Sequence, residues 1–485
     1  MSGEKPKGKI SPSLIVAVII IIILLAALVY YATLPPKVEV IPTIIPTTIV
    51  QTALKTETLP GTTIVRTEVK TIVQTLTPTP TMPTGPVEIN LLYEPDMPWM
   101  IYAIELFEKL YPNIKINYIG CPIAELSKKI TADMVSGEKY SMYDVVYNWG
   151  GMCQQFGAAG YWLDLSKNVT AEEIEKLVPG ALDFLTYTRA DGSKYLTGLP
   201  SFTDAQLFYY RTDLFEKAGL TRPPKNYEEL IEYAKKLTMD INGDGKIDIY
   251  GWVEDWATDN IQFNFYTRLN AAGGKAWEEG KLIINSTEGI RAAEWMKKLW
   301  ESGAVYPDTL NFYSSGQKMK VFYTGMAAMT WAWPFLSAYA NDPKKSTIVG
   351  KWDVALMPGD ILPSASVDGS EGFGIPSKAR HPKEALLFIK FISFNEEFQL
   401  NFIKKYGYPA VLKKVYEDPE IKASKTWQIY IEQLKYPYSR HYSKYDPQIW
   451  DLMDLYLKKA IIGEMDIKEA LDKICAEISK FAALG

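Results

Sequence analysis

VEINLLYEPDMPWMIYAIELFEKLYPNIKINYIGCPIAELSKKITADMVSGEKYSMYDVVYNW, residues 87–149, decides the fold. Its opening VEINLLY (87–93) is a short apolar run of strand-forming residues. A helix is expected next, with Ala103, Phe107 and Leu110 on one face. It stops near Pro112, whose missing N–H and fixed φ end helices. IKINYI (114–119) alternates apolar and polar residues with the period of two that a half-buried strand needs. A second helix is expected over 124–135 and a third strand over 143–147. This β-α-β-α-β order predicts a parallel sheet with helices on both faces.

Working outward, residues 86–485 exceed what one hydrophobic core holds, so at least two lobes are expected. Asn226 with Glu229 and Asp466 with Glu469 have capping-box spacing ahead of two amphipathic helices. The formal charge of −5 and the absence of a basic stripe exclude a nucleic-acid binder. The chain has 13 Trp and 31 Tyr, more than core filling needs, and both residue types join an apolar face to a polar handle.

The N-terminal region reads differently. Residues 14–34 are an uncharged aliphatic run that makes a helix of roughly 32 Å, against a hydrocarbon core of about 30 Å. Lys5, Lys7 and Lys9 precede it and Tyr30 and Tyr31 end it, which orients the N-terminus inward and the body outward. The region is therefore read as a transmembrane anchor rather than a cleaved signal peptide. Lys7-Gly8, a polar stretch and then the apolar helix resemble an archaeal prepilin-like (class III) signal, in which cleavage follows the Gly and the helix is retained. Residues 35–85 are dominated by Thr and Pro, with IVQT at 49–52 and again at 72–75, and are read as an extended spacer.

Three cysteines are present. Cys121 and Cys153 follow two predicted strands, and would bridge if those strands are neighbours, as an oxidising exterior permits. Cys475 falls on the apolar stripe of the last helix and is read as a buried thiol. Asn168-Val-Thr and Asn285-Ser-Thr are N-glycosylation sequons. Asp240, Asn242, Asp244 and Asp248 stand at positions 1, 3, 5 and 9 of a calcium-loop pattern, with Gly245 at 6 and Lys246 at 7 offering its carbonyl. Position 12 is Gly251, so the bidentate Glu is missing. A structural calcium ion is the expected cofactor.

Six stretches in order resemble the extracellular solute-binding protein family 1 of ABC transporters, the maltose/trehalose-type group. They are FEKLYPNIKI (107–116), DVVYNW with FGAAGYWLDL (144–165), GLPSFTDAQLFYYRTDLFEKAGLTRPPKNYEEL (198–230), FYTGMAAMTWAWP (322–334), GFGIPSKARHPKEALLFIKFIS (372–393) and YGYPA (406–410). The third is the most specific. The resemblance implies a two-lobed, periplasmic-binding-protein-like (type II) α/β fold with crossing hinge segments. Lobe one would hold about 87–199 and 360–405, and lobe two about 202–357 and 409–485. Ligand would sit in the crevice at the carboxyl ends of the strands.

The family's sugar-stacking Trp before a Pro corresponds to Trp333, with Trp331 expected to point the other way, into packing. Phe202 and Asp204 match a ring and carboxylate where the chain crosses between lobes. Asn148 and Trp149 end the third strand, Tyr93 and Glu94 the first, and Glu371 and Tyr408 lie at later crossings. Trp256 is a loop aromatic of unassigned face. Some members carry an Arg soon after the Gly-x-Pro that matches Gly407–Pro409; here Ala410, Val411 and Leu412 follow.

The implied role is that of an extracellular capture subunit that hands a sugar or oligosaccharide to separate permease and ATPase subunits. No P-loop, nucleophile elbow or His-Glu-x-x-His motif is present. A glycosidase using Asp204 and Glu371 as opposed carboxylates is the alternative from another class. A carbohydrate receptor uncoupled from transport and a peptide-binding trap are two more.

Overall fold

The computed structural model describes residues 53–59, 62–68, 85–189, 191–257 and 260–484. The predicted membrane span and the basic segment before it lie outside these residues. Among the described residues no helix is long and apolar enough to cross a membrane. Within the Thr/Pro-rich tract, Ala53–Leu59 pairs antiparallel with Thr62–Glu68 from Ala53↔Glu68 to Leu59↔Thr62. That part of the tract is a paired ribbon rather than a plain extended spacer.

The body, residues 82–485, is a separate compact unit. Its first lobe is built on a five-stranded sheet. We label the main strands β1 (Val87–Tyr93), β2 (Ile114–Gly120), β3 (Val145–Asn148), β4 (Leu199–Phe202) and, later in the chain, β9 (Glu371–Gly374). Their order is β2-β1-β3-β9-β4. β1 runs parallel to β2 and β3, whereas β9 is antiparallel to β3 and β4. The helices Pro98–Leu110 and Ile123–Val135 are the predicted crossovers. Ala103 and Phe107 are buried as expected, but Leu110 is exposed, because the last helical turn runs past the edge of the core.

Lobe two carries a four-stranded sheet of β5 (Leu207–Arg211), β6 (Tyr250–Val253), β7 (Ala327–Ala332) and β8 (Trp352–Ala355), ordered β6-β7-β5-β8. Its core joins Leu230, Ala234 and Met296 from the sheet-covering helices to Ile449, Met453, Leu471 and Ile474 near the C-terminus. The Asn226 side chain caps the helix Tyr227–Leu237 by accepting from the Glu229 N–H at 2.9 Å. The Asp466 carboxylate does the same for the Glu469 N–H at 3.0 Å.

Three crossings join the lobes. β4 continues through Phe202, so the first crossing is 203–206, slightly later than the sequence suggests. Ala365 and Val367 pack in lobe two's core, which moves the second crossing from 360 to about 368–370. In the third, Phe402 packs with lobe one and Ile403 and Ala410 pack with the cluster that holds Leu207. Gly407 lies there at φ 75°, a left-handed conformation that costs a side-chain-bearing residue.

The sheet order also settles the cysteines. β1 lies between β2 and β3, so Cys121 and Cys153 follow strands two spacings apart, roughly 9–10 Å and beyond disulfide reach. The expected bridge is absent: Cys121, Cys153 and Cys475 are all free, buried thiols.

Candidate functional site

The carboxyl ends of β1 and β3 face the crossings, and the predicted residues converge there in two groups. The first is built around Glu371. The ladder between β9 and β4 shifts register between Glu371 and Gly372, and such irregularities re-aim a side chain. The Glu371 carboxyl accepts a hydrogen bond from the Tyr93 hydroxyl at 3.2 Å, and Tyr147 bonds to it as well. Burial, with Glu94 as a second negative neighbour, pushes its pKa up to about 8. Tyr408 stacks on Phe335 at 4.8 Å and on Phe402 at 5.1 Å, and meets Phe202 at 4.9 Å. Tyr93, Glu371, Tyr408 and Phe202 are therefore one neighbourhood.

The second group crosses the cleft. Trp149 of lobe one lies stacked on Trp450 of lobe two, ring centroids 5.1 Å apart at 21°. The Arg440 guanidinium packs against both indoles, 4.4 Å from the Trp149 ring centre and 5.6 Å from that of Trp450, and lies 4.1 Å from the Phe263 ring. Tyr442 closes the side, 5.8 Å from Trp149, and its hydroxyl donates to the Asp368 carboxylate at 3.0 Å. Trp333 meets Phe263 edge-on at 5.4 Å. The lobes are thus closed on one another through rings.

Asp204 joins the groups at the first crossing. Its carboxylate accepts from the Ala205 N–H at 2.9 Å, while its own N–H donates to the Ser370 hydroxyl at 3.0 Å. Burial holds its pKa well above the usual carboxylate range, with Glu371 and Asp368 as further negative neighbours. Asp446 is pushed up to about 8, again by burial, with Arg440 pulling the other way. One of its oxygens accepts from the Ser443 N–H at 3.0 Å and the other has no partner. This is an array of aromatic plates with carboxyl and hydroxyl groups between them, chemistry that suits a flat-faced, polyhydroxylated molecule.

Other predicted residues lie elsewhere or are occupied. Trp256 is fully buried in lobe two's core, its indole N–H given to Glu254 at 2.6 Å, so it faces the interior. Glu254 also takes a buried ion pair from Arg268 at 2.7 Å. Asn148 spends its amide N–H groups on Thr197, leaving its buried carbonyl unpartnered. Strand alternation puts positions i and i+2 on one side, and the Trp331 and Trp333 rings do touch, 5.6 Å apart at 82°. Trp331 is nonetheless a packing residue, as expected, with its indole N–H on Asn264 and Lys318 over its face.

In the acidic loop, Asp240 accepts from the Gly243 and Gly245 N–H groups, Asn242 from Asp244, Asp244 from Lys246 and Asp248 from Ile241. The turn is wound as the pattern predicts, but its oxygens are turned to its own amides. Among the described residues no group of three His, Cys, Asp or Glu side chains gathers to hold a metal. Asn168 is exposed, whereas the Asn285 amide donates to Asp472 at 2.8 Å, tying a loop to the last helix.

Arg440, Trp450, Tyr442, Phe263, Asp368 and Asp446 are the residues that sequence reading missed. The only signal was aromatic density in YPYSRHYSKYDPQIW (436–450), which has no period or spacing to mark it.

Comparison with known proteins follows the geometry. The family described as bacterial extracellular solute-binding protein matches residues 93–397. A probable ABC transporter-binding protein of Deinococcus radiodurans is 28% identical over 58% of this chain and 64% of its own length. An ABC transporter extracellular-binding protein of Pyrococcus horikoshii is 27% identical over 70% of this chain and 77% of its own. Among solved structures, maltose-bound MalE3 of T. maritima superimposes with a TM-score of 0.71 at 25% identity, covering 81% of this chain and all of its own. A ribitol complex of a solute-binding protein from Agrobacterium radiobacter gives 0.69 at 25% identity, covering 82% of this chain and 100% of its own. The two-lobed fold, the crossings and this match over residues 93–397 make the chain a member of the bacterial extracellular solute-binding protein family.

Proposed function

We propose that the chain captures a sugar or polyol outside the cell and passes it to the permease of an ABC importer. The observation that carries this is the set of rings and carboxyl groups at the carboxyl ends of β1 and β3, which both lobes contribute only when closed. Because ligand would touch both lobes only in the closed form, binding favours closure, and the closed form is what a permease would read. The ligands of the structural relatives, maltose and ribitol, belong to the polyhydroxyl class this array suits.

The reading is of binding without conversion. Asp204 is buried and its carboxylate already serves the Ala205 amide, so it is poorly placed as an acid or base on a glycosidic bond. Incubating the full-length chain with a sugar it binds and recovering that sugar unchanged by mass spectrometry tests this. Hydrolysis products that disappear with Glu371→Gln would establish the enzyme instead.

Residues 14–34 are proposed to anchor the chain, with the Thr/Pro-rich tract setting the reach of the body from the membrane. Residues 240–248 are proposed to take calcium, with Asp240, Asn242, Asp244, Asp248 and the Lys246 carbonyl as ligands. For that, the carboxylates must exchange loop N–H groups for the ion. A rise in Tm with calcium that is lost in Asp240→Ala supports this; equal melts with calcium and with chelator refute it.

A further inference from the structure

The helix Ile261–Ala271 is buried along its whole length, yet it carries Gln262, Asn264, Thr267, Arg268 and Asn270. Polar side chains in such a place need partners, and their partners say what the helix holds. Gln262, Tyr266 and Asn270 are spaced four residues apart, so they lie along one face. All three meet the segment 439–442 of the same lobe. The Gln262 side-chain carbonyl accepts from the Arg440 Nε at 3.5 Å, and the Tyr266 ring meets the His441 ring edge-on at 5.4 Å.

Asn270 takes the backbone on both sides of Arg440. Its two amide N–H groups donate to the Ser439 carbonyl at 2.7 Å and to the Ser366 carbonyl at 2.8 Å. Its Oδ1 is therefore the acceptor in the 2.9 Å bond to the His441 Nε2, so the imidazole proton sits on Nε2. His441 is further held through its own carbonyl, which accepts from the Trp277 indole at 3.1 Å. It stands at φ 55°, a left-handed conformation that costs a residue with a side chain and persists where neighbours impose it. With His441 turned into lobe two, Arg440 and Tyr442 on either side of it pack on Trp149 of lobe one. Ser366 ties the same knot to the second crossing: its N–H donates to the Pro437 carbonyl at 2.8 Å, and Asp368, two residues on, accepts from the Tyr442 hydroxyl. Two donors and one acceptor on one short planar group are what asparagine offers and what aspartate lacks.

We propose that Asn270 is a positioning residue for capture: through Ser439 and His441 it sets Arg440 and Tyr442 in place before the lobes meet, so that Trp149 docks on a preformed surface. Ordering this segment in advance removes a cost that closure would otherwise carry. The inference rests on the reading above, in which capture is closure of the two lobes.

The test places cysteines at both Gly150 and Tyr442 in the full-length chain. An ideal Cβ on Gly150 lies 2.4 Å from the Tyr442 Cγ, so the two β-carbons come within about 4 Å in the closed form, inside disulfide reach. Removing the Tyr442 ring also makes room for the new side chain. Cys121, Cys153 and Cys475 are buried, so the added pair is the one that oxidises. With no ligand present, the rate at which oxidised glutathione joins the pair, followed by mass spectrometry, reports closure with residue 442 in register. The pair should join, and Asn270→Asp, which keeps the shape but turns a carboxylate oxygen on two carbonyls, should slow it at least ~10-fold. His441→Gly, which accepts φ 55° freely but loses the imidazole, should slow it in the same sense and serves if Asn270→Asp does not fold. Alkylation of the three native thiols should stay as slow as before. Calorimetry with ribitol, mannitol and maltose, in the chain that keeps Gly150 and Tyr442, should show the tightest of them weakened at least ~10-fold by Asn270→Asp.

Disulfide rates unchanged by both substitutions overturn the positioning role. So do native thiols that become reactive in step with the slowing, since the effect is then loss of structure. A pair that does not join even with Asn270 and His441 intact overturns the closed contact and the role with it. No heat from any of the three probes overturns the sugar reading, while the disulfide rates, taken without ligand, still decide the role of Asn270.

Discussion

A Cβ placed on Gly150 of lobe one would stand 2.2 Å from the Tyr442 ring of lobe two. Real side chains do not approach so closely, so closure depends on glycine at this position. Gly150 begins the helix Gly150–Ala158, where alanine would be tolerated or preferred. Gly150→Ala should therefore leave Tm within a few degrees while weakening ligand binding by tenfold or more, about 1.4 kcal/mol. Small-angle scattering should show the substituted protein staying open in the presence of ligand. Unchanged affinity would mean that the lobes close along another path.

Glu371 ties stability to pH. An ordinary glutamate titrates near 4.5, and burial beside Glu94 raises this one to about 8. The folded state therefore favours the protonated form. Its contribution is complete below about pH 4.5 and is lost as pH rises through 8. Asp446, raised to about 8 by burial, acts in the same direction. Stability should fall between pH 5 and 8, with the Glu371 part on the order of 4 kcal/mol. Glu371→Gln should flatten the profile of Tm against pH. A wild-type profile that rises over this range, or a substitution that leaves the slope unchanged, would contradict the assignment.

Trp333 and Trp256 separate binding from folding. Trp333 lies at the cleft against Phe263 and Gly369. Trp256 is interior and bonded to Glu254. Trp333→Ala should weaken sugar binding by tenfold or more, since loss of a stacked ring costs about 1–3 kcal/mol. Trp256→Phe should leave affinity unchanged but lower stability by about 1–3 kcal/mol, because the buried Glu254 carboxyl loses a hydrogen-bond donor. Calorimetry and denaturant unfolding on the two proteins decide it; an affinity loss confined to Trp256→Phe would reverse the roles.

The parts of this molecule legible in the sequence are those written in short-range pattern. The alternation in IKINYI marked β2, and the pairs Asn226–Glu229 and Asp466–Glu469 marked two helix starts. Tyr93, Trp149 and Asp204 can be proposed from the sequence because strand ends and crossings collect ligand groups in this architecture. Arg440 and Trp450 cannot, because their importance arises from contact with Trp149, about three hundred residues away, and nothing local records it. Strand order was equally hidden: nothing in the segments around Cys121 and Cys153 says that β1 runs between β2 and β3. Trp256 misled because a tryptophan in a loop next to acidic residues reads like a ligand platform, whereas Glu254 turns its indole inward.

The cysteine geometry gives a direct check. Alkylation of the unfolded protein without reductant should modify Cys121, Cys153 and Cys475, and the native protein should resist, since all three thiols are buried. Burial also raises their pKa values, Cys153 to about 12, so little reactive thiolate forms. Alkylation of only one cysteine in the unfolded state would reveal a disulfide that this strand order forbids.

The central claim, a two-lobed trap for a polyhydroxyl ligand, is tested most directly by a thermal-shift screen of the full-length chain against sugars, polyols, amino acids and peptides. The account predicts that Tm rises with one sugar or polyol class, and that Trp333→Ala lacks the rise. A rise with amino acids or peptides and none with any sugar or polyol would contradict it.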